Sequence, residues 1–436
     1  MSGPRLKPFV EGVFREALGA VDPERSVREA LRLERDTLWI RGVPYRLTGT
    51  SRLVLLALGK AAAGMAAGAL AALGTRVERC VVVPKADGLD SRALPGCRVV
   101  PGAHPIPDER SVEAGRALLE AVQGLTADDL VLVLLSGGGS ALAEVPRAPV
   151  TLDDIVVTTE LLLRAGADIW LLNSVRRKLS AIKGGRLAEA AAPARVVNLI
   201  LSDVLGNPLS VIASGPTVEP ERIVSDLELV LEGLGVWQAI PPRVRSLLVE
   251  PEVPSGRLDN VVQSVVLADV AALVRAAAEA CRERGLPAVL CGARFTGEAR
   301  EFGRFWAALA RTVREERQPW TPPVAIVAGG ELTVTVRGSG RGGRNTEMAL
   351  AAALALEGSE RITVASLASD GDDGRSGAAG AVVDTTTAGV LRERGIDPLR
   401  ALQDNDSATA LAAADALVVT GLTGTNVNDL YLAIVE

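Results

Sequence analysis

A chain of 436 residues, 48% apolar and 23% charged, is long enough for two cores of ordinary size and has the balance of a soluble globular protein, which excludes a disordered or fibrous one. The net charge of −6 argues against nucleic acid as a partner and requires local basic pockets for any acidic small molecule. No apolar run approaches the roughly 18 residues of a membrane span, and the charges throughout RLKPFVEGVFREAL are unlike a signal peptide, so a cytoplasmic protein with no membrane partner is expected.

Helical spacing runs over 6–33, and DTLWIRGVPYRL (36–47) predicts a short hairpin around Gly42. Strands and helices then alternate: strand 52–59 (RLVLLALG), an alanine-rich helix 60–73, strand 79–84, helix 109–125, strand 130–135, helices 152–164 and 169–191, and strand 195–201 (RVVNLIL). Short, continuously apolar strands separated by helices imply βαβ units, hence a largely parallel sheet covered on both faces. Prolines at 241, 242, 251 and 254 mark a junction over 241–258, which separates a first domain (1–240) from a second (259–436). In the second, strands 261–267 and 287–291, helices 270–284 and 298–317, strands 324–327 and 361–367, helix 346–356 and a last strand 417–419 are expected. The alternation of ELTVTV from Glu331 predicts a mixed sheet there.

The four cysteines have neither a CxxC pair nor metal-ligand spacing, so they read as small buried side chains. His104 is the sole histidine, which excludes a zinc site needing two. Lysine is kept at only five positions (7, 60, 85, 178 and 183) against a large excess of arginine, so a compact ammonium has a raised claim to a specific task.

Loops after strand ends carry the candidate chemistry, because parallel sheets open a shared crevice there. Lys60 in LGKAAAGM begins a helix just beyond a buried strand. The loop Ser136, Gly137, Gly138, Gly139, Ser140 lets backbone N–H groups approach an anion but has no lysine of its own, so it is not a self-contained Walker A site. Lys178 and Lys183 lie in the basic stretch NSVRRKLSAIKGGR, and Asp203 stands at a strand exit where a carboxylate holds Mg²⁺ or orients a hydroxyl. In GSGRGGRNTEMAL, Gly338, Gly340 and Gly343 satisfy GxGxxG, but Arg341 and Arg344 inside the loop favour a polyphosphate over a dinucleotide. Asp370, Asp372 and Asp373 beside glycines suit a hard cation without EF-hand spacing, and Asn426, Asn428 and Asp429 cap a helix or line the same crevice.

In order and spacing, LGKAAAGM, GAHPIPDE, LLSGGGSAL, KLSAIKGGRLA, LSDVLGNPLSVIASGPT, GSGRGGRNTE, ASDGDDG and TGTNVNDL resemble the class II glycerate 2-kinase family, whose carboxyl-terminal part is the MOFRL domain. The resemblance spans nearly the whole chain. It implies two Rossmann-like α/β domains, the first on a mostly parallel and the second on a mixed sheet, with an interdomain cleft and the MOFRL region at about 322–430. It further implies transfer of the γ-phosphoryl group of ATP to the 2-hydroxyl of D-glycerate with Mg²⁺, with Lys60 and Arg344 as leading catalytic residues and Asp203 beside them. Beside that carry-over, the chemistry of the motifs leads us to expect Asp203 or Asp370 to hold Mg²⁺ or accept the hydroxyl proton, Ser136 to Ser140, Lys178, Lys183, Gly340, Gly342, Gly343, Asn345 and Asn426 to bind substrate or phosphate, and Asp370 and Asp373 to bind the metal. Asn207 and Asp372 depart from the family's usual residues. Some relatives carry the label hydroxypyruvate reductase, which makes a nicotinamide-dependent reductase the rival; a serine hydrolase has no GxSxG to support it, and a pure sugar-acid or nucleotide binder would release no ADP. Nothing in the sequence fixes an oligomeric state.

Overall fold

Every residue of the apolar runs LVLLAL and LVLVLL is buried, as expected of strands covered on both faces. The computed structural model describes residues 3–85, 94–251 and 258–436. The chain forms two units, Pro23–Leu267 and the combination of Met1–Asp22 with Ala268–Glu436.

The Pro23–Leu267 unit begins with a small antiparallel meander of β1 (Leu31–Glu34), β2 (Thr37–Ile40) and β3 (Val43–Arg46). The expected hairpin is its second half, closed by Arg41 and Gly42 at φ 49° and 82°, the two left-handed residues of a tight hairpin turn. Of the region that reads as helical over 6–33, Lys7–Ala20 and Pro23–Ala30 are helix, whereas Leu31 to Glu34 pair with β2 instead.

Six further strands form the main sheet of this unit: β4 (Leu53–Leu58), β5 (Arg79–Val83), β6 (Arg98–Val99), β7 (Leu130–Leu135), β8 (Arg195–Leu201) and β9 (Val261–Ala268), in spatial order β6-β5-β4-β7-β8-β9. Strands β4, β5, β7 and β8 are parallel. After β4 the chain builds outward through β5 and β6, then returns to lay β7 on the other side of β4. The reversal opens a crevice between the carboxyl ends of β4 and β7, the usual ligand position in such sheets. At the opposite ends of the same two strands, buried Asp129 accepts bonds from Arg52 N (2.7 Å), Nε (3.1 Å) and Nη2 (2.6 Å) and from the Thr126 N–H (2.7 Å).

The helix expected over 169–191 breaks into Ile169–Leu179 and Arg186–Ala191, since Gly184 and Gly185 turn left-handed between them (φ 60° and 90°). The proline-bearing stretch does not separate the units. Pro241 and Pro242 instead start helix Pro242–Val249, which packs Val244, Leu247 and Leu248 into a satellite core with Leu162, Leu231 and Trp237. Residues 252–257 of that stretch lie outside the described residues.

The other unit carries β10 (Ala288–Glu298), β11 (Val324–Thr333), β12 (Ile362–Ala368), β13 (Gly380–Asp384), β14 (Leu417–Val418) and β15 (Asp429–Val435) in the order β10-β11-β15-β12-β13-β14. The sheet is mixed as expected: β10 and β11 are parallel, and β15 inserts antiparallel between β11 and β12. The apolar run from Val324 and the start of ELTVTV make one strand rather than two. An added Cβ at Gly330 would fall 2.0 Å from the Phe295 carbonyl, so only glycine lets β11 lie this close to β10. Scarce aromatics gather here: Phe302 stacks on Trp306 at 5.5 Å and tilts on Tyr431 at 5.1 Å. Helix Lys7–Ala20 joins this unit through Val270–Glu283, with Arg284 paired to Glu16 at 2.6 Å. Among the described residues no helix is long and apolar enough to cross a membrane.

One reading of the cysteines is corrected. Cys80 and Cys97 form a disulfide that ties β5 to the segment entering β6, while Cys281 and Cys291 are free thiols. Sequence spacing did not reveal the pair because β5 and β6 become neighbours only in the sheet. Thiol titration of the denatured, unreduced protein is expected to find two thiols, rising to four after reduction; a closed loop of this size stabilises by about 3 kcal/mol, so Cys80→Ala should lower the melting temperature measurably.

The Asp129 carboxyl gives a second prediction. Burial raises its pKa, but the Arg52 and Thr126 bonds outweigh that and hold it at about 2. Its stabilising effect is therefore complete above the unfolded value near 4 and is lost as pH falls through about 2, a total of about 2 kcal/mol. Asp129→Asn should forfeit it at neutral pH and show a shallower drop in melting temperature between pH 5 and pH 2 than the parent.

Candidate active site

At the crevice between β4 and β7 the backbone itself is the first constraint. The Lys60 N–H donates to the Gly137 carbonyl at 2.8 Å, and the Ala61 N–H donates to Ser136 Oγ at 3.0 Å. Ser136 is buried in this role, so its hydroxyl secures the turn after Lys60. A Cβ at Gly59 would fall 2.2 Å from Ser136 Oγ, one at Gly137 1.7 Å from Asp203 Oδ2, and one at Gly139 2.7 Å from the Ala213 Cβ. The glycines thus admit three neighbours against one loop: the β4 exit, the Asp203 carboxylate from the β8 exit, and the Ala213 turn. Gly138 is left-handed (φ 84°), and its open face lies under Lys60 Cγ and the His104 ring, 3.1 and 3.3 Å from where a Cβ would be.

Four sequence-distant elements therefore meet here: Lys60, His104, the serine-glycine loop and Asp203. Burial, then the positive charges of Lys60 and Lys85, lower the His104 pKa to about 4, so its imidazole is neutral at neutral pH. Ser140 Oγ lies 2.7 Å from Ser214 Oγ. Ala213, Ser214 and Gly215 form a left-handed turn (φ 52°, 59° and 56°), which costs of order 1–3 kcal/mol at each of its two non-glycine residues. Local sequence does not mark this turn, because Ala213 and Ser214 are not residue types that favour the left-handed region.

The two other lysines are engaged elsewhere. Lys183 forms a buried ion pair with Glu144, and Lys178 donates to the Glu250 carbonyl.

In the other unit, Arg344 opens helix Arg344–Ala355 and is held by two carboxylates. Its Nε lies 2.7 Å from Asp429 Oδ2, its Nη2 donates to Asp429 Oδ1 at 3.0 Å, and its Nη1 donates to Glu331 Oε1 at 2.9 Å. Three of five guanidinium N–H groups are used, leaving one on each terminal nitrogen. Asp429 is fully buried, and burial pushes its pKa up to about 7 against the pull of Arg344. Neither Glu331 nor Asp429 was singled out as Arg344's holder; the contact depends on β15 lying beside β11.

The Gly338 to Gly343 loop turns its N–H groups inward. Arg337 and Gly338 donate to Asn405 Oδ1, Ser339 to Asp404 Oδ1, Gly340 to the Asp404 carbonyl and Arg341 to Asp406 Oδ1. Gly340, Gly342 and Gly343 make room for the backbone and side chains of Asp406, Ser407 and Asp373, with Cβ clashes of 2.3–2.4 Å. A dinucleotide fingerprint offers such N–H groups to a pyrophosphate; here protein acceptors take them. Asp373 caps the Arg344 helix, accepting from the N–H groups of Asn345 and Thr346 at 2.8 Å each and from Thr346 Oγ1 at 2.8 Å; the buried Asn345 side chain contacts Asp373 and accepts from Ser366. Asp370 Oδ1 accepts from the Asp372 N–H, and Asn426 Oδ1 from the Asn428 N–H. Among the described residues no group of three His, Cys, Asp or Glu side chains converges as a metal site.

Comparison with known proteins finds two family models along the chain. A family model described as a domain of unknown function (DUF4147) matches residues 9–249, and the MOFRL family model matches 324–429. The chain is 40% identical to the D-glycerate 2-kinase of Thermotoga maritima over 99% of this chain and 98% of that one. It is also 40% identical to a putative hydroxypyruvate reductase of Agrobacterium vitis, over 96% of this chain and 92% of that one. The crystal structure of a Thermotoga maritima glycerate kinase superposes with a TM-score of 0.86 at 39% identity, covering 99% of both chains. The chain therefore belongs to the DUF4147 and MOFRL family that includes these glycerate kinases.

Proposed function

We propose that this protein is a glycerate 2-kinase, transferring the γ-phosphoryl group of ATP to the 2-hydroxyl of D-glycerate to give 2-phosphoglycerate and ADP. The observation that carries the reading is the convergence of Lys60, neutral His104 and Asp203 on one glycine loop at the topological switch point. Phosphoryl transfer passes through a loose transition state, so it needs cations aimed at the equatorial oxygens and an acceptor for the hydroxyl proton more than a strong nucleophile. In this reading Lys60 supplies the cation, Asp203 accepts the proton or helps hold Mg²⁺, and the loop's backbone orients an oxyanion. Arg344 is the second proposed cation, with its two remaining N–H donors available. Mg²⁺ suits a site without a three-carboxylate cage, because it commonly binds through one or two carboxylates and the substrate phosphates; it would offset phosphate charge, with Asp203 or Asp370 as the protein ligand. The inward-facing N–H groups of the Gly338 to Gly343 loop weigh against the nicotinamide-dependent reductase. A cytoplasmic setting belongs to the same proposal, and the Cys80 and Cys97 link bears on it because intracellular disulfides are rare outside hyperthermophiles.

Purified protein with D-glycerate, ATP and Mg²⁺ should release ADP and form 2-phosphoglycerate, and Lys60→Ala should lower kcat by roughly a hundredfold or more. NADH oxidation with hydroxypyruvate and no ATP dependence would instead establish the reductase. A further prediction concerns pH. Protonation of Asp429 removes the carboxylate that aligns Arg344, so kcat should fall as pH drops through about 7. Asp429→Asn should lower kcat and flatten that limb; a parent-like pH profile in the variant would separate Asp429 from catalysis.

A further inference from the structure

The basic stretch from Asn173 to Arg186 carries five cations, and the protein engages four of them itself. Lys183 pairs with buried Glu144, Lys178 donates to the Glu250 carbonyl, and Arg186 donates to the carbonyls of Arg177 and Ser180. Arg177 is buried with its stem laid across Gly184, where an added Cβ would fall 2.1 Å from its Cγ. Arg176 differs. It is partly buried, enough that desolvation lowers its pKa, yet among the described residues its guanidinium makes no hydrogen bond and no ion pair.

Glu144 is the carboxylate that opposes this lowering, and both its oxygens are taken, Oε1 by the Val145 N–H at 2.9 Å and Oε2 by Lys183. Burial lowers the Lys183 pKa as well; Glu144 opposes this and the charge of Arg176 adds to it, so two cations share one buried acid. A guanidinium does not shed its proton, and a charge withdrawn from water calls for a partner. The cluster thus holds one positive charge more than its own acid balances, which is the charge of a single carboxylate ligand.

Two independent ties place this charge at the Ser140 end of the glycine loop. Asn173 and Arg176 stand one turn apart on one face of helix Ile169–Leu179, and Asn173 Oδ1 accepts from Ser214 Oγ at 3.0 Å. Ser214 has a single proton and gives it there, so in the 2.7 Å contact with Ser140 the Ser140 hydroxyl donates. From the other side, Glu144 follows Ser140 by four residues, just beyond the short helix Gly139–Leu142, and acts directly on the guanidinium.

We propose that Arg176 binds the carboxylate of the substrate acid, its planar fork taking both oxygens beside Ser140 while Lys60 stands over Gly138. The carboxylate of glycerate is bonded to the carbon that bears the reacting hydroxyl, and Gly138 and Ser140 are at most about 7 Å apart along the chain, so one small acid reaches both. A triphosphate carries several negative charges and would overcompensate the cluster. The inference rests on the kinase reading for the identity of the acid and adds the residue that recognises it.

The test is a split of Michaelis constants. Arg176→Met keeps the length of the side chain and removes the charge, so it should raise the KM for D-glycerate roughly ten- to a hundredfold while the KM for ATP stays within about twofold. Because it also removes an unpaired cation from a partly buried position, the melting temperature without substrate should equal or exceed the parent's, which a structural arginine would not allow. Arg176→Lys keeps the charge without the fork and should show the same split at about tenfold; it reports on the site should Arg176→Met fail to fold. A glycerate KM within about twofold of the parent in the folded variants, a fall in melting temperature with an equal rise in both constants, or a rise confined to ATP would overturn the assignment. If the parent itself releases no ADP with D-glycerate, the kinase reading fails, and calorimetric titration of D-glycerate against its uncharged amide judges Arg176 alone. A parent that binds the acid over the amide, with that preference lost in Arg176→Met, supports the inference; no binding, or an unaltered preference in the variant, overturns it.

Discussion

The close approach of Ser136, the Asp203 carboxylate and the Ala213 side chain to Gly59, Gly137 and Gly139 is the constraint on which the proposed site depends. A methyl group at these positions would meet Ser136 Oγ, Asp203 Oδ2 and the Ala213 Cβ at 2.2, 1.7 and 2.7 Å respectively, forcing those neighbours away. The exits of β4, β7 and β8 thereby meet on one loop, with the Asp203 carboxylate packed directly against the Gly137 backbone. A hydrogen bond from the Lys60 N–H to the loop fixes where that lysine's side chain starts. Backbone placement of this kind suits phosphoryl transfer, where alignment and fixed charge supply most of the rate.

Glycine has opposite meanings in the two units. In the Ser136 to Ser140 loop it brings a carboxylate, a lysine and an imidazole onto one small surface. From Gly338 to Gly343 it lets the loop lie flat on the Asp404 to Ser407 turn, whose acceptors take its N–H groups. The residues that follow are likewise tied into the protein: Asp373 caps the Arg344 helix and Asp429 grips the Arg344 guanidinium. The second unit thus orients a single arginine through a buried acid.

Much of the architecture was legible because it depends on local pattern. Continuous apolar runs gave β4, β7 and β8 with boundaries within a residue or so, since a strand buried on both faces must be apolar along its length. The largest omission was β15, the strand central to the mixed sheet: DLYLAIV is fully buried and carried the same apolar signal, but its opening residues read as part of a polar loop. The disulfide and the unit boundary were not legible for a different reason. Cys80 and Cys97 meet through strand pairing, and Met1–Asp22 joins the distant Ala268–Glu436 segment through helix packing, neither of which leaves a mark in local spacing.

The sequence by itself determined the fold class, the family resemblance and the places where loops carry chemistry, because periodicity and motif spacing are properties of neighbouring residues. Only the tertiary structure decided which of those residues are at liberty to act. Lys60 stands over the glycine loop beside His104, whereas Lys183 is locked to Glu144 in the interior. Asn173 and Ser214, inconspicuous in sequence, are joined to Ser140 through a left-handed turn 40 residues further along the chain from the first of them. Charge pairing, burial and the direction of a hydrogen bond are relations between distant residues, so they exist only once the chain has folded.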